Sequence, residues 1–200
     1  QDALLCVHDP LDGEPPHPSS TPVVQTSLFS FPSMEELAEA YSDPRCHRVY
    51  TRGQNPTVEV LEEKLATLER GEACKAFASG MAAVSAVLLG LMEAGDHIVF
   101  LYDTYGPTLH LARQLERFGI RHTVVRNLEP DALEAALTPA TRLIWVESPG
   151  TMLFRVVDLA AVAALARERG ITTAIDNTWT TPLLQKPLVH GFDVVMHTAT

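Results

Sequence analysis

An acid at the end of one apolar run, and two hydroxyls spaced i and i+2 at the end of another, are the residues of this chain best suited to chemistry. Asp176 follows Thr172-Thr173-Ala174-Ile175, and Thr198 and Thr200 follow the run Asp193 to His197. A carboxylate at a strand end can face a ring nitrogen and favour its protonated form, or close an Asx turn or cap a helix. The threonine hydroxyls can serve a phosphate, or they reflect the preference of β-branched residues for strands. Ser79-Gly80-Met81 opens an Ala-rich run. Small residues there let a ligand approach the backbone, and free N–H groups at a helix start favour an anion, although a strand-to-helix turn also carries Ser-Gly on steric grounds. Neither a Walker loop nor a Gly-x-Gly-x-x-Gly fingerprint is present. Tyr105, in Asp103-Thr104-Tyr105-Gly106-Pro107, has a flat ring that can stack on a flat ligand or pack on its neighbours. Arg52, in the polar loop Tyr50 to Thr57, is a natural phosphate ligand or a solvated loop residue. The eight histidines show no metal spacing, and no metal role is assigned.

These residues need strand ends and helix starts to hold them, and the pattern supplies both. Residues 1–32 carry Pro10, Pro15, Pro16, Pro18 and Pro22, which exclude regular helix; they read as an extended arm, disordered or laid across a partner subunit. Ser33 with Glu36 forms a capping box for a helix to about Tyr41. Asp43 to Pro56 reads as loop. Thr57 is the expected cap of a helix Val58–Arg70, with Leu61, Leu65 and Leu68 on one face and Gly71 as its stop. Strands and helices then alternate. The expected strands are Cys74–Ala78, His97–Tyr102, Arg121–Val125, Arg142–Glu147, Thr172–Ile175 and Asp193–His197. The expected helices are Met81–Glu93, Thr108–Phe118, Pro130–Leu137 and one capped by Asp158 that runs to Arg169. Repeated strand–helix units with apolar strands argue for an open, mostly parallel α/β sheet, which binds ligands at the carboxyl ends of its strands.

Composition narrows the function classes. The chain has 200 residues, 46% of them hydrophobic, and a formal charge of −10, which argues against a nucleic-acid or anionic-membrane surface. Its longest apolar run, Ala82 to Met92, is too short to span a bilayer, and Ala3 to Val7 is no signal peptide. Cys6, Cys46 and Cys74 match neither a disulfide framework nor a zinc pattern, so a reducing cytoplasm is expected.

Taken together, the motifs resemble those of the pyridoxal phosphate-dependent transsulfuration enzymes, a family that includes cystathionine β-lyase, cystathionine γ-synthase and cystathionine γ-lyase. The similarity runs from about Thr26 to Thr200. Tyr50-x-Arg52-x-x-Asn55-Pro56-Thr57 is one family motif, and Asp193 to Thr200 matches the lead-in to the family's cofactor lysine. The resemblance implies the aspartate aminotransferase-like transferase fold (fold type I), a mostly parallel sheet with helices on both faces. Residues 1–56 would then be an arm and intersubunit loop, and residues 57–200 a cofactor domain that stops short of the lysine and of the C-terminal domain; lysine is the expected residue after Thr200. By the same resemblance Gly80 and Met81, in the loop begun by Ser79, give N–H groups to the cofactor phosphate, and Thr198 and Thr200 add hydroxyls. Asp176 pairs with the pyridine nitrogen, Tyr105 stacks on the ring and Thr178 packs near its other face. Tyr50 and Arg52 reach the phosphate of a neighbouring subunit, which implies a dimer with shared sites and a homotetramer. Two departures refine the expectation. Thr151 stands where many relatives have the asparagine of Glu-Thr-Pro-Thr-Asn-Pro, and Tyr105-Gly106-Pro107 lacks the cysteine usual in methionine γ-lyases. Both features, with Glu147-Ser148-Pro149-Gly150, lean toward bacterial cystathionine β-lyase. Cystathionine γ-synthase, cystathionine γ-lyase and O-acetylhomoserine sulfhydrylase are the enzymatic alternatives, and a degenerate pyridoxal phosphate-binding module is the non-catalytic one.

Overall fold

The computed structural model describes residues 18, 20–43, 48–127 and 130–199. The expected arm up to His17, Cys6, Cys46 and Thr200 lie outside the described residues. Packing gives two compact units, the first ending at Ala76 and the second beginning at Phe77. Among the described residues no helix is long and apolar enough to cross a membrane.

In the first unit, Ser33 caps α1 (Met34–Ser42) by accepting from Glu36 N at 3.2 Å. Helix α2 (Pro56–Glu69) is capped by Asn55, not Thr57: the Asn55 side chain accepts from Thr57 N at 2.9 Å, and Pro56 takes the first helical position. Proline suits that position because its missing N–H would have no partner there in any case. Thr57 is instead used by the chain ahead of it, donating to Pro22 O and accepting from Val24 N. The stop is also shifted, because Arg70 and not Gly71 takes the left-handed conformation, at φ 63°. Leu68 is buried but Leu61 is exposed within this unit. The described part of the arm lies along its own chain: Leu28 bridges Tyr50 in antiparallel fashion, Thr51 N donates to Ser27 O and Asn55 Nδ2 to Val24 O. The expected strand Cys74–Ala78 does not form. Its backbone finds a side chain rather than a strand: Glu62 Oε1 accepts from Ala76 N at 2.8 Å, and Glu62 Oε2 pairs with Lys75 at 2.7 Å.

The second unit is a five-stranded parallel sheet in the order β2-β1-β3-β4-β5. Its strands are β1 (His97–Leu101), β2 (Arg121–Val125), β3 (Thr141–Glu147), β4 (Thr172–Asp176) and β5 (Val194–Met196). Alternate residues point to opposite faces, and both faces are apolar. Ile98, Phe100, Leu143, Trp145 and Ala174 pack with Val84 and Leu88 of α3 (Gly80–Leu91) and Ala112 and Leu115 of α4 (Gly106–Leu115). On the other face, Val99, Leu101, Ile144, Val146 and Ile175 pack with Leu133 of α5 (Pro130–Ala136) and Leu159, Val162 and Ala166 of α6 (Leu159–Arg169). Burial on both faces is why these strands read as near-continuous apolar runs. Asp158 caps α6 as expected, through Ala161 N at 3.0 Å. A four-residue helix α7 (Thr181–Leu184), absent from the sequence expectation, lies between β4 and β5.

Candidate active site

The carboxyl edge of the sheet gathers most of the expected site residues into one run of contacts. It starts at α3, whose cap Ser79 accepts from Ala82 N at 3.1 Å and whose first residue is Gly80. The N–H groups of Gly80 and Met81 belong to the first turn, where the helix itself supplies no acceptor. A Cβ on Gly80 would lie 2.7 Å from Thr198 Cβ, so only glycine lets the helix start come this close to the loop after β5. Thr198 N donates to Thr178 Oγ1 at 2.9 Å, which ties that loop to the one after β4. Thr178 N in turn donates to Asp176 Oδ1 at 3.0 Å. The Asx turn is therefore real, but it uses one carboxylate oxygen and is compatible with a ligand role for the acid.

Between Asp176 and Thr178 sits Asn177, fully buried. Its backbone N–H reaches Met196 O at 2.9 Å, its amide donates to Gln185 O at 3.0 Å, and its side-chain oxygen accepts from Gln185 Nε2 at 2.7 Å and from the Thr180 hydroxyl. Gln185 also donates to Ser148 O at 2.8 Å. Asp176 is thus held by a polar network that spans the ends of β3, β4 and β5.

The neighbour of Asp176 across the sheet is Glu147, its register partner on β3. Sequence reasoning did not single out Glu147, although the signal matched that of Asp176: an acid closing the apolar run Leu143-Ile144-Trp145-Val146. Glu147 is 3% exposed. Burial pushes its carboxyl up to about 7 from the ordinary 4.5, and the charge of Asp176 adds to the rise. Hydrogen bonds from Tyr105 N at 2.7 Å and Thr151 Oγ1 at 2.8 Å oppose the rise. The Trp145 indole N–H, which closes no hydrogen bond of its own, adds a smaller favourable contribution. The Glu147 bond to Tyr105 completes the run, and the Tyr105 ring itself is exposed. Ser79, Gly80, Met81, Tyr105, Asp176, Thr178 and Thr198 therefore belong to one unit and one sheet edge. Tyr50 and Arg52 belong to the first unit, where the Arg52 guanidinium lies 5.1 Å from the Tyr50 ring centroid.

A parallel sheet with helices on both faces, a helix start open to an anion and an acid at a strand end define a domain of the kind that holds pyridoxal phosphate. The fit rests on the glycine cradle at Gly80, the first-turn N–H groups of α3 and the carboxylate of Asp176. Residues 5–200 match the family of Cys/Met metabolism PLP-dependent enzymes, and the chain belongs to that family. It is 42% identical over 180 residues to L-methionine gamma-lyase of Pseudomonas putida, covering 90% of this chain and 45% of that protein. It is 48% identical over 152 residues to cystathionine beta-lyase MetC of Staphylococcus haemolyticus, covering 76% of this chain and 39% of that one. A crystal structure from Campylobacter jejuni, carrying a pyridoxyl-lysine phosphate, superposes at a TM-score of 0.92 with 29% identity, over 98% of this chain and 49% of that chain. The fold is thus that of the family's pyridoxal phosphate enzymes, and this chain spans about half the length of the relatives it matches.

Proposed function

We propose that the full-length protein is a pyridoxal phosphate-dependent carbon–sulfur lyase, a cystathionine β-lyase that splits cystathionine into homocysteine, pyruvate and ammonia. When bound, the cofactor supplies an electron sink for the carbanion formed at the substrate α-carbon. The protein's own residues orient and charge it. The N–H groups of Gly80 and Met81, held open by the Ser79 cap, receive the phosphate, and the hydroxyls of Thr198 and Thr200 join them. Asp176 faces the ring nitrogen and keeps its proton in place, because a carboxylate beside it favours the charged form. Tyr105 stacks on one face of the ring, and Thr178 bounds the other. Tyr50 and Arg52 serve the phosphate of a neighbouring subunit, so the active unit is at least a dimer, and a tetramer in the assembled cytoplasmic enzyme. Residues 57–200 form the cofactor domain and residues 1–56 the arm and intersubunit loop.

One observation carries this reading: the unbroken run of contacts from Gly80 through Thr198, Thr178, Asp176 and Glu147 to Tyr105. The preference for β-elimination rests on two loops, Glu147-Ser148-Pro149-Gly150-Thr151 and Tyr105-Gly106-Pro107. Incubating the full-length protein with cystathionine tests it. Homocysteine with pyruvate is the expected product pair. Cysteine with 2-oxobutyrate assigns γ-elimination instead, and a protein that binds pyridoxal phosphate but releases neither pair is no lyase of cystathionine.

A further inference from the structure

Tyr105 does not hold its own place. It ends the short loop after β1, and that loop is seated on the loop after β3 at several points. Asp103 takes the left-handed conformation, at φ 66°, which turns its carbonyl to accept from Thr151 N at 2.8 Å. The seat is close enough that a Cβ on Gly150 would lie 2.5 Å from Asp103 Cβ. Arg155 covers the outside of the seat, with its guanidinium 4.4 Å from the Tyr102 ring centroid and its Nε 4.0 Å from Asp103 Oδ2. At the inner end, the Glu147 carboxyl receives Tyr105 N on Oε1 at 2.7 Å and the Thr151 hydroxyl on Oε2 at 2.8 Å. One buried side chain thus bonds both loops. Tyr105 is also the residue that precedes α4, and its backbone, at φ −50° and ψ 129°, closes no side-chain cap. The Glu147 bond is what fixes its N–H.

We infer that Glu147 is a positioning residue for Tyr105: its carboxyl, braced by the Thr151 hydroxyl, fixes the turn that presents the Tyr105 ring at the carboxyl edge of the sheet. Thr151 acts through Glu147, because its hydroxyl is committed there. That the ring then meets a cofactor rests on the function proposed above; the clamp itself does not. A threonine suits this task because a hydroxyl donates to a carboxylate and accepts from a carboxylic acid, so the brace survives in either state of Glu147.

The test uses the full-length protein with Glu147→Ala, Glu147→Gln and Thr151→Val, and has two arms. In the first, amide hydrogen exchange is measured without cofactor. Losing the acceptor in Glu147→Ala is expected to lower protection at the Tyr105 amide about tenfold, with Ile144 in β3 unchanged. Glu147→Gln keeps an oxygen acceptor and is expected to restore the protection. If Glu147→Ala disturbs the whole sheet, and Ile144 loses protection too, Thr151→Val decides: a smaller loss confined to the Tyr105 loop supports the clamp, and no change at Tyr105 overturns it. Unchanged Tyr105 protection in a folded Glu147→Ala protein also overturns it. In the second arm, pyridoxal phosphate is titrated into the cofactor-free proteins. Glu147→Ala is expected to weaken binding about tenfold, and the pair Glu147→Ala with Tyr105→Ala to bind no worse than Tyr105→Ala alone, since both changes remove the same contact. Losses that multiply independently overturn the inference. A parent protein that binds no pyridoxal phosphate sinks the proposed function, while the exchange arm still judges the clamp.

Discussion

Asp176 and Glu147 are two acids at the ends of neighbouring strands, and they differ in burial and in partners. Asp176 is partly exposed and takes an N–H from Thr178. Glu147 is buried, and its carboxyl is pushed up to about 7. In the function proposed above Asp176 faces the cofactor ring, while the Glu147 carboxyl is committed to the Tyr105 and Thr151 loops. Asp176→Ala is therefore expected to slow turnover of the full-length enzyme about 10²-fold or more, at least ~2.7 kcal/mol of barrier; steady-state activity within threefold of the parent removes Asp176 from that role. For Glu147 the consequence is one of stability. Its folded value lies above the ordinary 4.5, so the folded protein holds the proton more firmly than the unfolded chain does. Stability from this group is then greatest at low pH and is lost as pH rises from about 4.5 through about 7, by roughly 3 kcal/mol in all. The groups that set this are Asp176, which raises the value, and the Tyr105 N–H, the Thr151 hydroxyl and the Trp145 indole, which lower it. Glu147→Gln has no proton to lose. Urea unfolding at several pH values should show the variant gaining on the parent as pH rises across that window, and a constant difference between the two proteins contradicts the assignment.

At the scale of elements, the positions that hold the site follow from local pattern, and the failures occur where the deciding partner is distant in sequence. The central strands β1 and β3 were readable because burial on both faces demands apolar runs such as Ile98-Val99-Phe100-Leu101, while the edge strand β2, Arg121–Val125, is largely exposed and was readable from its β-branched residues. Cys74–Ala78 is apolar apart from Lys75, yet no strand forms, since strand formation needs a neighbour and Glu62 meets its backbone instead. Thr57 looked like a cap because it precedes an apolar helix; Asn55 took that role and left Thr57 to bond Pro22 and Val24. Ser79, Gly80, Thr198 and Asp176 were readable as residue types at strand and helix ends. That Gly80 touches Thr198 was not, because the contact joins residues far apart in the chain. This contact yields a prediction for the element pair. Gly80→Ala puts a Cβ 2.7 Å from Thr198 Cβ, and Thr198 cannot swing aside without pulling its N–H from Thr178 Oγ1. Overpacking of this kind costs about 1–3 kcal/mol. Urea unfolding of the cofactor-free variant should show that loss, together with weaker pyridoxal phosphate binding; a variant equal to the parent in both measurements means the helix start and the loop after β5 are not held together as described.

For the whole molecule, the function proposed above turns on which subunit's Tyr50 and Arg52 serve the cofactor phosphate. Tyr50 and Arg52 lie in the first unit, on a loop braced by the chain ahead of it through the Leu28–Tyr50 bridge and the Thr51 bond to Ser27. That bracing holds the backbone of the loop, on which the Arg52 guanidinium lies 5.1 Å from the Tyr50 ring centroid. If Arg52 serves the partner's phosphate, two different defects should repair each other. Subunits carrying Arg52→Ala and subunits carrying Asp176→Ala are each expected to be nearly inactive alone. In a hybrid dimer, one site then combines an intact Asp176 with the partner's intact Arg52, while the other site combines both defects. Equal mixing with random reassociation makes half the dimers hybrids, each with one good site of two, so activity should recover to about a quarter of the parent value. Differently tagged subunits, purified through both tags, isolate the hybrids and give about half the parent activity per dimer. Hybrids that form but stay inactive assign Arg52 to its own subunit, because a site completed within one chain cannot be rescued by mixing.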